Sequence, residues 1–179
     1  ADAGRVRDSV EGSGEGVTRK GWRSDGADIS ECGQYRYWLG RSRNEGDGLV
    51  TFIMLNPSDA NAERDDPTIR RCLGFAEAWG KQKTVILNIF ALRSTDPTAL
   101  QAALDPIGPL NNYSMVTAGG LIVCAWGAWG ALNHRGANVR ALLAAANPHR
   151  PLYCLGQTKS GEPKHPLYLR ADLMPAILA

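Results

Sequence analysis

Long apolar runs are missing from this 179-residue chain: the longest, Leu121 to Trp126, is far too short to span a bilayer. An excess of charge of one sign is missing too. Twenty basic residues face eighteen acidic ones, net +2, which excludes a histone-like polycation and an acidic tail protein. Any nucleic-acid contact must come from a local patch. Cysteine is scarce and scattered: Cys32, Cys72, Cys124 and Cys154 lie tens of residues apart, with no CxxC or CxxH. That pattern speaks against metal or iron–sulfur ligation. Three of the four sit in apolar runs, as buried thiols in a reducing cytosol do. No Gly-rich phosphate loop of either familiar type occurs. The first thirty residues carry no apolar stretch of the kind a secretory leader needs, so a cytoplasmic protein is expected.

What is present is ordinary globular material. Apolar residues are 44% and charged residues 21%, which excludes disorder as the main state. The length suits one domain with a core that needs no staples. Residues 1 to 30 alternate Gly, Ser, Asp, Glu and Arg and read as a polar arm; residues 31–179 read as a single domain. Tyr35 to Leu39 is a short aromatic strand candidate. Four apolar β-like runs follow: Leu49 to Leu55, Thr84 to Phe90, Leu121 to Trp126 and Leu152 to Leu155. The first three are nearly continuous rather than alternating, as in parallel strands covered on both faces.

Helical stretches separate these runs. Asp66-Pro67 reads as N-cap and first helical residue, and Gly80 as the stop. Ile69, Cys72, Leu73, Ala76 and Trp79 form an apolar stripe between them. A second helix is expected from Asp96-Pro97 through Leu100 and Leu104, a third near Pro109, and a fourth carrying Val139, Leu142 and Leu143. The order predicts a three-layer α/β/α sandwich around a mainly parallel four-stranded sheet, with room for an extra edge strand.

In an open parallel sheet, ligands bind beyond the carboxyl ends of the strands. Those ends supply Asn56-Pro57-Ser58, Asn88, Trp126-Gly127 with Trp129, and the loop from Gly156 to Tyr168 with Lys159, Lys164 and His165. Each has a plain structural role as an alternative. Asn-Pro starts turns, Asp66 caps a helix, and the tryptophans pack walls. Asn88 resists that treatment, because a carboxamide inside an apolar strand is costly unless its hydrogen bonds are met. His165, in a Gly- and Pro-rich loop rather than on an apolar face, is a second such residue.

From about Tyr35 to Leu169 the chain resembles a family of small bacterial and phage proteins classed as a domain of unknown function. The shared words are LNPS, DDPTIRRC, LNIFALR-TDP, AWG and LG-TKSG-PKHPLYL. More distantly, the order of motifs is similar to the uracil-DNA glycosylase superfamily. There a motif after the first strand reads GQDPY, or G-x-NPG in the mismatch-directed branch. Met54-Leu55-Asn56-Pro57-Ser58 resembles the second form, Val85-Ile86-Leu87-Asn88 the base-reading strand end, Trp126-Gly127 the third motif, and His165-Pro166-Leu167 the start of HPSPL.

The resemblance implies a monofunctional DNA glycosylase. It would hydrolyse the N-glycosidic bond of a flipped-out pyrimidine, in repair or in defence against modified phage DNA. It implies no metal and no organic cofactor. It gives roles by position: Asn56 orients water, His165 donates to the base carbonyl as a neutral imidazole, and Asn88 holds the Watson–Crick edge. Phe90 or Trp126 stacks on the ring, and Gly127 belongs to the base pocket. Arg93, Arg135, Lys159 and Lys164 contact phosphates, and Leu167 or Tyr168 fills the space the base vacates. The aspartate of GQDPY is Asn56 here, so water activation is either weaker or comes from elsewhere; Asp59, Asp65 and Asp66 lie nearby in sequence as substitutes, with Asp66 adopted. Ser58 replaces the tyrosine that blocks a 5-substituent, which leaves room for a 5-modified base. A soluble monomer with DNA as partner is expected. The alternatives are a nucleoside or nucleotide hydrolase and a non-catalytic nucleic-acid-binding module.

Overall fold

The computed structural model describes residues 5–7, 18–43, 46–58 and 60–178. Strand β1 (Arg5–Arg7) pairs with β2 (Arg23–Ser30), which leads into β3 (Arg36–Ser42). Next come β4 (Leu49–Met54), helix α1 (Pro67–Ala78), β5 (Lys83–Asn88), α2 (Ala99–Ala102), α3 (Asn111–Val116) and β6 (Leu121–Cys124). Helix α4 (Arg135–Ala146), β7 (Leu152–Cys154) and β8 (Ala176–Ile177) complete the chain. All strands join one mixed sheet in the order β1-β2-β3-β5-β4-β6-β7-β8. Strands β5, β4, β6 and β7 run parallel; the others pair antiparallel at both flanks.

The fold is therefore α/β, but its sheet is an eight-stranded mixed one rather than the expected four strands plus an edge. Residues 23–30, expected as arm, are the main addition. They lack apolar alternation and become a strand through pairing with β3, with register irregularities between Ser24 and Gly26 and between Asp28 and Ile29. Residues 1–4 and 8–17 of the expected arm lie outside the described residues.

Burial explains the parallel centre. Along β4 the pleat sends Val50, Phe52 and Met54 to one side, where Ile69, Cys72, Leu73, Phe75 and Ala76 of α1 cover them. Ile53 goes to the other side and joins Leu87, Ile122 and Cys124 under Met115 of α3 and Val139 and Leu143 of α4. The strands are apolar throughout because helices lie against both faces.

Helix α1 begins where expected. Asp66 Oδ1 accepts from the Ile69 amide at 2.7 Å, Pro67 needs no amide partner, and Gly80 takes φ +69° past the end. The second helix is shorter than expected. It stops at Ala102, and Leu104 is fully exposed rather than on an apolar stripe. Pro106 disfavours helical backbone at Asp105, whose carboxylate instead accepts from the Ile107 and Gly108 amides in a turn. Among the described residues no helix is long and apolar enough to cross a membrane.

One buried ion pair ties the antiparallel flank to the chain ahead of α1. Arg41 Nε of β3 donates to Asp65 Oδ1 at 2.9 Å, and both side chains are shielded from water. Asp65 Oδ2 accepts from the Arg19 amide at 3.0 Å, and Arg41 also donates to the Asn61 and Gly40 carbonyls. Removing one partner leaves the other charge buried alone, at a cost of about 3–5 kcal/mol. Asp65→Ala is therefore expected to lower the unfolding free energy by roughly that amount, measured by urea denaturation.

Candidate functional site

The parallel register aligns the strand ends. Met54 stands opposite Asn88, Ile53 opposite Cys124, and Cys124 opposite Cys154. Residues just beyond those positions crowd one edge, near the point where β5 and β6 leave β4 on opposite sides. A cavity of about 320 Å³ opens there, at the lower end of the volumes that hold small molecules. Asn56, Ser58, Asp66, Asn88, Trp126, Gly127 and His165 line it together, with Arg36, Ser94, Thr95 and Trp129.

Each side chain has a local reason for its place. Asn56 Nδ2 donates to the Ser94 carbonyl at 2.8 Å and to the Pro57 carbonyl at 3.2 Å, fastening the loop after β5 to the loop after β4. Its Oδ1 makes no hydrogen bond among the described residues and is the atom it can offer a ligand. Ser58 Oγ donates a hydrogen bond to Asp66 Oδ2. Asp66 therefore has both roles weighed for it in the sequence: it caps α1 and it lines the cavity.

Asn88 is almost completely buried, and a guanidinium settles its orientation. Arg36 Nη2 donates to it at 3.2 Å, so the accepting atom is Oδ1 and the amide nitrogen is turned away from Arg36. Asn111 Nδ2 donates to the Asn88 carbonyl at 3.0 Å and holds the strand end still.

His165 hangs on two anchors. The Gly127 amide donates to the Pro163 carbonyl at 2.7 Å, and Arg71 of α1 donates to the carbonyls of Pro166 and Leu169. Gly127 takes φ +75°, and a Cβ there would meet the His165 Cβ at 3.4 Å. The Leu167 amide approaches Nδ1 at 3.4 Å, which leaves Nε2 as the protonated nitrogen of the neutral ring. Burial lowers the imidazole pKa below its ordinary value, with Asp66 pulling weakly the other way. The ring is therefore mainly neutral at pH 7, with Nε2 as the nitrogen that can donate to a ligand.

Trp126 is buried. Its Nε1 donates to Glu162 Oε2 at 2.6 Å in a slot floored by glycine: a Cβ on Gly130 would fall 2.0 Å from the indole Cδ1. The indole thus belts the His165 loop to the end of β6.

Several expected site residues lie elsewhere. Phe90 is fully buried among Leu100, Met115 and Ile89 and does not line the cavity, because the chain past Asn88 turns into the core beneath α3. Arg135 is buried at the start of α4, donating to the Ile89 carbonyl at 2.7 Å and to Asn112 Oδ1 at 2.8 Å, so it holds structure rather than phosphate. Arg93 donates to the Gly33 carbonyl at 3.0 Å and braces the turn between β2 and β3. Asp65 is committed to Arg41, and Asp59 lies outside the described residues. Lys159, Lys164 and Tyr168 are exposed on the loop that carries His165, and Leu167 is half-buried.

Arg36 was missed. The antiparallel direction of β3 sets its first residue at the same edge where the parallel strands end, so a residue that precedes every motif reaches the floor of the cavity. The signal available was an arginine inside an aromatic strand. Glu162 was also missed; only the packing of the loop brings it under Trp126. Among the described residues no group of three or more His, Cys, Asp or Glu is arranged to hold a metal ion.

A family model described as a protein of unknown function, DUF1643, matches residues 36–167. The chain belongs to the DUF1643 family. Its boundaries enclose every cavity residue named above, from Arg36 to His165. No curated protein and no solved structure gives a significant match to the chain. These comparisons provide no link to the uracil-DNA glycosylase superfamily, and that likeness rests on the motifs.

The lowered pKa of His165 has a signed consequence. Below the ordinary imidazole value of 6.5 the unfolded chain takes up a proton that the folded protein refuses. Stability therefore falls as pH drops from 6.5 towards the folded value. His165→Gln is expected to flatten that part of the pH–stability curve, read by urea denaturation. The wild-type His165 ring is expected to titrate below 6.5 by NMR.

Proposed function

We propose that the DUF1643 cavity is the base pocket of a DNA glycosylase that acts on a flipped-out, 5-modified pyrimidine. The observation that carries this reading is the convergence of Asn56, Asn88 and His165, from three separate strand ends, on one nucleobase-scale cavity. The parallel run β5-β4-β6-β7, with helices packed against both faces, supports this reading as part of the larger mixed sheet.

The chemistry follows from the donors and acceptors on hand. The C1′–N bond breaks and its electron pair leaves with the base, while the sugar gains oxocarbenium character. Donors aimed at the atoms that gain charge lower the barrier most. His165 Nε2–H and Asn88 Nδ2–H supply them. The carboxylate of Asp66 favours the cationic sugar and takes the proton of the water that bonds to C1′; Asn56 Oδ1 orients that water. The small Ser58, with its hydroxyl turned to Asp66, leaves space beside C5. Lys159 and Lys164 meet backbone phosphates, and Tyr168, 93% exposed three residues after His165, stands in for the missing base. In this reading the protein works as a cytoplasmic monomer without metal or cofactor, in repair or in defence against modified phage DNA.

A panel of oligonucleotides tests it: uracil, thymine, 5-hydroxymethyl and glucosylated pyrimidines, each treated with the protein and then alkali to reveal abasic sites. Strand breaks at one or more 5-substituted bases are expected. His165→Ala and Asn88→Ala should lower excision by about 100-fold or more while circular dichroism shows an intact fold. Preference for plain uracil refutes the 5-modified substrate, and wild-type rates in both variants refute the site. Cleavage of nucleosides but of no DNA selects a nucleoside hydrolase instead.

A further inference from the structure

Two arginines of β3 are buried, and their circumstances differ. Arg41 has Asp65 as an ion partner. Arg36 is 1% exposed and has no carboxylate at ion-pair distance among the described residues. Of its five N–H donors, Nη1 serves the Ala60 carbonyl at 2.7 Å and Nη2 serves Asn88 Oδ1 at 3.2 Å. Its buried Nε has no acceptor among the described residues. A buried guanidinium so incompletely partnered is an arrangement that folding alone disfavours. It lines the same cavity as Asn88 and His165.

We propose that Arg36 makes the cavity a site for anionic heterocycles, acting through Asn88 as the electrostatic support for the negative charge of a departing pyrimidine. This rests on the glycosylase reading above. Arg36 holds Asn88 Oδ1, so Nδ2 is the group presented to the ring. It also draws electron density through the carboxamide, which strengthens the Nδ2–H bond to a ring oxygen as that oxygen becomes negative. Burial lowers the Arg36 pKa to about 10, against the pull of Asp66, so the guanidinium stays charged at neutral pH. The neutral His165 supplies a proton donor but no charge; Arg36 supplies the charge. Asp66, its oxygens engaged by Ser58 and the Ile69 amide, is the opposite pole. Both charges line the cavity: the guanidinium is bonded to Asn88, the group proposed to meet the base, and the carboxylate is the one proposed to face the sugar. Arg36 is a positioning residue here, since Asn88 is the group that meets the base.

The test is direct binding of free bases to the full chain, by calorimetry at neutral pH. 5-Nitrouracil, acidic enough to be an anion there, is compared with thymine, which is neutral. Wild type is expected to bind the anion about tenfold more tightly, the order by which a charge-assisted hydrogen bond exceeds a neutral one. That preference should fade as acid neutralises the ligand. Arg36→Met should abolish the preference and Arg36→Lys should retain part of it. If Arg36→Met fails to fold, the pH dependence of wild-type binding still decides. Equal affinity of the wild type for both bases overturns the proposal, even if DNA is cleaved. Anion preference in a protein that cleaves no DNA upholds the charged site and refutes the glycosylase reading.

Discussion

A buried guanidinium must be solvated by the protein itself, and much of the cavity is organised around that requirement. Arg36 enters from an antiparallel strand and finds the Ala60 carbonyl ahead of α1 and the carboxamide of Asn88 at the end of β5. Its demand for acceptors fixes which way Asn88 faces. Asn111 holds the same strand end from α3, on the far side of the sheet. Three elements remote in sequence are thereby locked to one strand terminus. That rigidity fixes which edge of the Asn88 carboxamide faces the cavity: a flipped carboxamide would present its acceptor instead of its donor.

The other wall is fastened by a separate set of contacts. Asp66 ends one helix and takes the Ser58 hydroxyl; Glu162 takes the Trp126 indole; Arg71 holds the loop around Pro166. Two of these contacts tie a loop to helix α1 or its cap, and the third ties the loop after β6 to the His165 loop. The His165 loop is long and rich in Gly and Pro, yet it is tied at Gly127, Trp126 and α1. Arg36 and Asp66 bring opposite charges to one small volume, together with an uncharged imidazole.

Much of the site was legible because parallel sheets place function by rule. Asn56, Asn88 and Trp126-Gly127 follow continuous apolar runs, and Asn88 marked itself as a polar group in a strand that otherwise buries only hydrocarbon. His165 was legible from its loop context. What misled the reading was charge without context. Arg93 and Arg135 look like surface cations in sequence, but backbone carbonyls of the turn before β3 and of Ile89 claim them. Phe90 sits two residues past Asn88 and seems equally well placed; the turn of the chain sends it into the core.

By itself, the order of residues determined the parallel centre of the sheet, the start of α1 and the edge at which the candidate site residues gather. These follow from local hydrophobic pattern and capping, which act over a few residues. Only the tertiary structure decided that residues 23–30 extend the sheet, that Asp65 belongs to Arg41, and that Arg36 lies beneath Asn88. Those outcomes depend on strand pairing across the fold and on the competition of buried charges for the few acceptors within reach, and neither leaves a periodic trace in the sequence.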